Sequence, residues 1–178
     1  YNPELIDLQN TQKVGYVITG GSALKHYIEH KHLEGLGKPE VHIYDNDVPG
    51  YRTAVQRIND ENTPNKVAYN TNKLELENYL HHEAIIEAYN ENGVTGLTLN
   101  TITDDVDVPF YVAKQLYNRN GNDWESLESD KQKKLANDKK NFLNTSAVEK
   151  MSVDRISERN GYEDLYQWLE SIKNFIER

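Results

Sequence analysis

Residues 40–58, EVHIYDNDVPGYRTAVQRI, decide how the rest of the chain is read. The segment Glu40 to Asp45 is rich in β-formers, and a strand over 40–45 places Val41 and Ile43 on one face. Asp45 to Gly50 is a turn, with Pro49 suited to its bend. Tyr51 to Ile58 then reads as a helix. Strand, polar turn and helix in that order belong to an α/β pattern.

Working towards the N-terminus, residues 13–19 (KVGYVIT) form a β-rich run closed by Gly20-Gly21. Ser22 is a candidate N-cap, and Leu24, Tyr27 and Ile28 share one helical stripe that continues to about residue 34. Gly35 and Gly37 end that helix. Towards the C-terminus, a short strand is predicted at 66–69 (KVAY). Residues 73–77 (KLELE) alternate with period two, which assigns Leu74 and Leu76 to one face and Glu75 and Glu77 to the other. A helix follows from His82 to Asn90. The order β-α-β-α-β-β-α predicts an α/β fold, a mostly parallel sheet flanked by helices, over residues 13–95. Residues 104–178 read as a C-terminal helical extension packed on that core. Val108, Tyr111, Val112, Gln115 and Leu116 share one face. The cleanest amphipathic helix carries Leu165, Trp168, Leu169, Ile172, Phe175 and Ile176. The loop 117–126 (YNRNGNDWES) between them is polar.

With 178 residues, 28% charged and 37% hydrophobic, the chain suits one domain, or one domain with an appendage. No stretch approaches a membrane span. The start, Tyr1-Asn2-Pro3-Glu4-Leu5, has no signal-peptide pattern. It also lacks Met, so a piece of a longer chain is expected. Zero cysteines exclude disulfides within the chain, thiolate chemistry and cysteine-ligated metals, and accord with a cytoplasmic location. A net charge of −9 argues against coating nucleic acid by bulk attraction. It leaves an acidic scaffold or an enzyme that meets phosphates through a bound cation.

Two acidic features fall where α/β sheets place ligands, beyond the carboxyl ends of strands. One is Asp45-Asn46-Asp47; the other is Glu75-Leu76-Glu77. Alone, the first is an ordinary polar turn and the second the solvent face of an edge strand. Brought together, their carboxylates would repel one another unless a cation such as Mg²⁺ lay between them.

VHIYDNDVPGY (41–51) followed by NKLELENYLHHEAI (72–85) resembles the Toprim domain of the overcoming-lysogenisation-defect (OLD) family of nucleases, including defence- and retron-associated ATPase–nuclease proteins. The resemblance covers about residues 13–90. It implies a Toprim-like sheet and an Mg²⁺- or Mn²⁺-dependent DNA endonuclease or nickase acting in anti-phage defence. Asp45, Asp47 and Glu77 match metal ligands, and Glu75 a catalytic acid. A catalytic lysine is implied beyond the acidic motifs, a role open to Lys133, Lys134, Lys139 and Lys140 and assigned to Lys139. Gly20 and Gly21 suit a close backbone approach to phosphate. Implied partners are DNA, the ATPase domain of the same longer chain and a second copy in a homo-oligomer, with no membrane.

The pattern departs from the family at the first strand. Thr19-Gly20-Gly21 stands where a Glu precedes the glycine, and Ala23 or Leu24 where a second acid follows. This departure is compatible with an alternative function, a degenerate, non-cleaving Toprim module that binds nucleic acid or a partner protein. Primase- or topoisomerase-like chemistry ranks below both. Elsewhere, His26, His30 and His32 read as a solvated helix face, and His81 as a helix cap or a substrate contact. Asp104, Asp105 and Asp107 read as charge at a helix N-terminus. Trp168 is assigned to the core and Trp124 to a surface role.

Overall fold

The computed structural model describes residues 8, 11–17 and 34–178. The described residues form two compact units. The first comprises those up to Asn70 together with Asp164–Arg178, and the second comprises Thr71–Glu163.

In the first unit, β1 (Glu40–Tyr44) and β2 (Lys66–Asn70) are parallel, with Glu40 opposite Lys66 and Tyr44 opposite Asn70. Helix α1 (Pro49–Asp60) connects them. Its proline occupies the first turn, where a missing N–H costs nothing. Tyr51, Ala54, Val55 and Ile58 recur at helical spacing, and Tyr51, Val55 and Ile58 pack with Tyr44 and Ala68. The helix stops at Asn62, whose φ of 45° lies in the left-handed region that asparagine tolerates. Tyr69, on the sheet face opposite Ala68, hydrogen-bonds through its hydroxyl to Ser171 (2.7 Å) of helix α6 (Tyr162–Ile176).

Asn59, near the end of α1, lies against the outer side of β2. Its Nδ2 donates to the Ala68 carbonyl (2.9 Å), and its Oδ1 accepts from the Ala68 N–H (2.9 Å). One carboxamide thus makes the pair of bonds a neighbouring strand would make. Breaking both leaves two partly buried backbone groups unpaired, at about 1–3 kcal/mol each. Asn59→Leu is therefore expected to lower stability by about 2–4 kcal/mol in urea unfolding, whereas Asp60→Asn, one residue on, should be near neutral.

The second unit is helical: α2 (His82–Glu91), α3 (Val108–Arg119), α4 (Ser129–Phe142) and α5 (Val153–Glu158). A π-helical turn, Leu143–Ala147, continues α4. Ile85, Ala88, Ile102, Val112, Leu143 and Ala147 form part of the main core. A satellite core forms around Trp124, which is 1% exposed and meets Phe110 and Tyr117 edge-on. The surface role expected of Trp124 is thereby corrected. Its polar sequence neighbours disguise a ring folded back between α3 and α4.

The α/β class, with a parallel sheet flanked by helices, is as expected; among the described residues the sheet has two strands. Residues 73–77 are not a strand. Leu76–Tyr79 is a 3-10 turn, with Glu75 as its N-cap. The alternation is also turned over, since Leu76 is 46% exposed while Glu75 and Glu77 are buried. Of the strand expected at 13–19, residues 13–17 are irregular, and Tyr16 and Val17 are exposed. With these apolar groups in water, burial does not offset the entropy of holding that backbone extended. Residues 18–19, Gly20, Gly21, Ser22 and the histidines His26, His30 and His32 lie outside the described residues.

Candidate functional site

The Asp45-Asn46-Asp47 turn leaves the carboxyl end of β1 and leads into the N-terminus of α1, the positive end of that helix dipole. Asp45 and Asn46 are half-buried and Asp47 is exposed. Contacts that shape the turn include Asn70 Nδ2 donating to the Asp45 carbonyl (3.3 Å) and Arg52 donating to Asn46 Oδ1 (3.2 Å). The N-cap, Val48, supplies no side-chain acceptor to the helix. Asp45 and Asp47 thus lie in sequence between the carboxyl end of β1 and the N–H-rich start of α1.

Behind this turn, one face of β1 carries a polar chain that the pattern of apolar residues does not reveal. Glu40 Oε2 lies 3.0 Å from His42 Nε2, and His42 Nδ1 lies 2.8 Å from the Tyr44 hydroxyl. With the ring neutral, Nε2–H donates to the carboxylate and Nδ1 accepts from the phenol. Burial, chiefly, pushes the Tyr44 phenol up to about 12. Burial is also the main cause that lowers His42 below its usual 6.5, against the pull of Glu40. A histidine depressed by folding binds its proton more readily in the unfolded chain. Its contribution to stability is present above pH ~6.5 and is lost as pH falls through the folded-state value. The His42 ring should titrate below ~6.5 by NMR, and stability should decline as pH falls below about 6.5. A midpoint above ~6.5 would contradict this assignment.

In the second unit, residues 71–81 form a buried polar hub. Asn78 is fully buried; its Nδ2 donates to the carbonyls of Thr103 (2.9 Å) and Val106 (2.8 Å), and its Oδ1 accepts from Glu75 N–H (2.9 Å). Arg159, also buried, donates to the Asn78 carbonyl through Nε (3.2 Å) and Nη2 (2.7 Å), to the Ile102 carbonyl and to Asp104 (3.1 Å). Buried Lys73 reaches the same Asp104 oxygen (2.6 Å) and lies over the Tyr79 ring. That ring packs on Gly161, where an added Cβ would fall 2.6 Å from Tyr79 Cδ1. Asn78→Leu would strand three backbone groups at about 1 kcal/mol or more each. Urea unfolding is expected to show a loss of about 3–5 kcal/mol, and a loss below ~1 kcal/mol would contradict this account.

Glu75 and Glu77 both turn towards the end of α4. Lys140 Nζ lies 3.5 Å from Glu75 Oε2, and Asn144 Nδ2 donates to Glu77 Oε1 (2.9 Å). These partners are four residues apart, and Asn144 is set by the π turn. The Glu75 carboxylate also caps its own 3-10 turn. The lysine that meets Glu75 is thus Lys140, while Lys139, half-buried, is its chain neighbour. Asp107 caps α3 as its position suggests, but Asp104 serves Lys73 and Arg159 instead. His81 caps α2.

The expected metal ligands are divided, with Asp45 and Asp47 in the first unit and Glu77 in the second. Among the described residues, no group of three or more His, Asp or Glu side chains is arranged to hold a metal ion. Two carboxylates on one turn still suit a hard cation that keeps most of its waters, as Mg²⁺ does. Comparison with protein-family models, with curated proteins and with solved structures yields no match to this chain.

Proposed function

We propose that the chain is a divalent-metal-dependent DNA endonuclease or nickase domain of the Toprim type it resembles, working with an ATPase domain of the same longer chain in anti-phage defence. The observation that carries this reading is the Asp45-Asn46-Asp47 turn, at the carboxyl end of a parallel β-α-β unit and at a helix N-terminus. Asp45 and Asp47 would hold Mg²⁺ or Mn²⁺. When bound, the ion lowers the pKa of a coordinated water and neutralises charge on a phosphodiester. In a chain of net charge −9, it would also let DNA approach an acidic surface. Lys140 is the lysine best placed to share a role with Glu75, which it meets at 3.5 Å.

A specific observation favours a second reading, a module that binds nucleic acid or a partner protein without cutting. Glu75 and Glu77 are buried and already engaged with Lys140 and Asn144, as structural acids are. Among the described residues no helix is long and apolar enough to cross a membrane, so neither reading places the chain there through such a helix.

Nicking of supercoiled DNA with Mg²⁺ or Mn²⁺ separates the two. Cleavage by the wild type, reduced about 100-fold or more in Asp45→Ala/Asp47→Ala, is the expected result. Equal cleavage by the double variant would remove the acidic turn from the chemistry. DNA retention in a mobility-shift assay without cleavage would favour the second reading.

A further inference from the structure

His81 and His82 stand together at the start of α2, with ring centroids 4.3 Å apart. His81 Nδ1 accepts from the Glu83 N–H (3.3 Å), so that nitrogen carries no proton in this arrangement. The opposite nitrogen, Nε2, lies 3.1 Å from Glu158 Oε2 at the end of α5. The His81 backbone N–H meets Met151 Sδ (3.3 Å), just ahead of that helix. The second ring is strained electrostatically: His82 Nδ1 is buried with no hydrogen-bond partner, and burial first, then His81, lowers its affinity for a proton.

Glu83 offers His81 two incompatible partners. Its backbone N–H suits a neutral ring, while its carboxylate, 4.0 Å from His81 Nδ1, suits a protonated one. The other charges around the pair are Glu158 and Arg155 on α5 and Arg159 just after it. Arg155 also holds Glu83 (3.8 Å) and Glu87 (2.8 Å), so Glu83 links the cap to the seam between α2 and α5. Ala84 and Ile85, directly behind the cap, have no exposed surface.

We propose that the His81–His82 pair is a pH-operated joint between α2 and α5. With both rings neutral, His81 caps α2. A proton taken up by the pair turns Nδ1 from acceptor to donor, releases the Glu83 N–H and re-pairs the ring with the Glu83 carboxylate. A cation at that place also opposes the positive end of the α2 dipole, so the first turn loosens. The closeness of the rings means that a proton on one disfavours a proton on the other, so the pair takes up a single proton well before a second. No oxidant, metal or co-reactant is needed; the only species exchanged with solvent is H⁺.

Amide hydrogen exchange at Glu83 and Ile85, corrected for the intrinsic pH dependence, reads the joint directly. Protection at Glu83 should fall at least about fivefold between pH 7.5 and 5.5 in the wild type. His81→Asn, a cap that does not titrate, should hold its protection across the same range, and His81→Ser serves as a second such cap. His82→Phe should move the wild-type midpoint upward. A wild type with no pH-dependent loss, or Asn and Ser variants that lose protection as the wild type does, would overturn the proposal.

Discussion

The second unit depends on one buried carboxamide, that of Asn78, to hold its irregular segments together. Asn78 has no exposed surface, yet its side chain and carbonyl together meet the Glu75 N–H, two loop carbonyls and the Arg159 guanidinium. Backbone groups taken out of water must find partners, and the irregular stretches 71–81 and 102–107 have no regular ladder to supply them. One carboxamide and one guanidinium do that work. The hub in turn fixes where Glu75 and Glu77 stand and where Lys73 reaches Asp104. The apolar core of α2, α3 and the π turn supplies the non-directional part of the stability; the hub decides which loop conformation goes with it.

Much of the regular structure is legible in the sequence because it obeys short periods. Val41 and Ile43 mark β1, Tyr51, Val55 and Ile58 mark α1, and the run around Trp168 marks α6. Period two fails at 73–77 for a definite reason. Leu74-Glu75-Leu76-Glu77 alternates as a strand would, but Lys140 and Asn144, more than sixty residues away, make the acidic side the buried one. Distant polar partners leave no trace in local hydrophobicity. The same holds for Trp124, which lies among Asn, Asp, Glu and Ser in sequence and among Phe110, Tyr117 and Ala136 in space.

The candidate site was legible in part. The turn that carries Asp45 and Asp47 follows β1 and precedes α1, as strand and turn patterns imply. Lys140 was among the lysines the resemblance left open, and geometry singles it out over Lys139. The chain Glu40–His42–Tyr44 is not legible in the sequence because alternation marks the apolar residues Val41 and Ile43 and carries no information on which polar groups of the other face bond one another. Placing a carboxylate, an imidazole and a phenol side by side is eased because the imidazole bonds both of the others and Lys66 lies 3.6 Å from the remaining carboxylate oxygen.

The carboxamide of Asn59 has a consequence for how this sheet can grow. A strand's outer side is an invitation to further pairing, from the same chain or from a neighbouring molecule. On β2 that invitation is withdrawn at Ala68, where both backbone groups are already taken. A further strand beside β2 would first have to displace Asn59 from Ala68. The same carboxamide that ties α1 to the sheet therefore also keeps the outer side of β2 from pairing at this point.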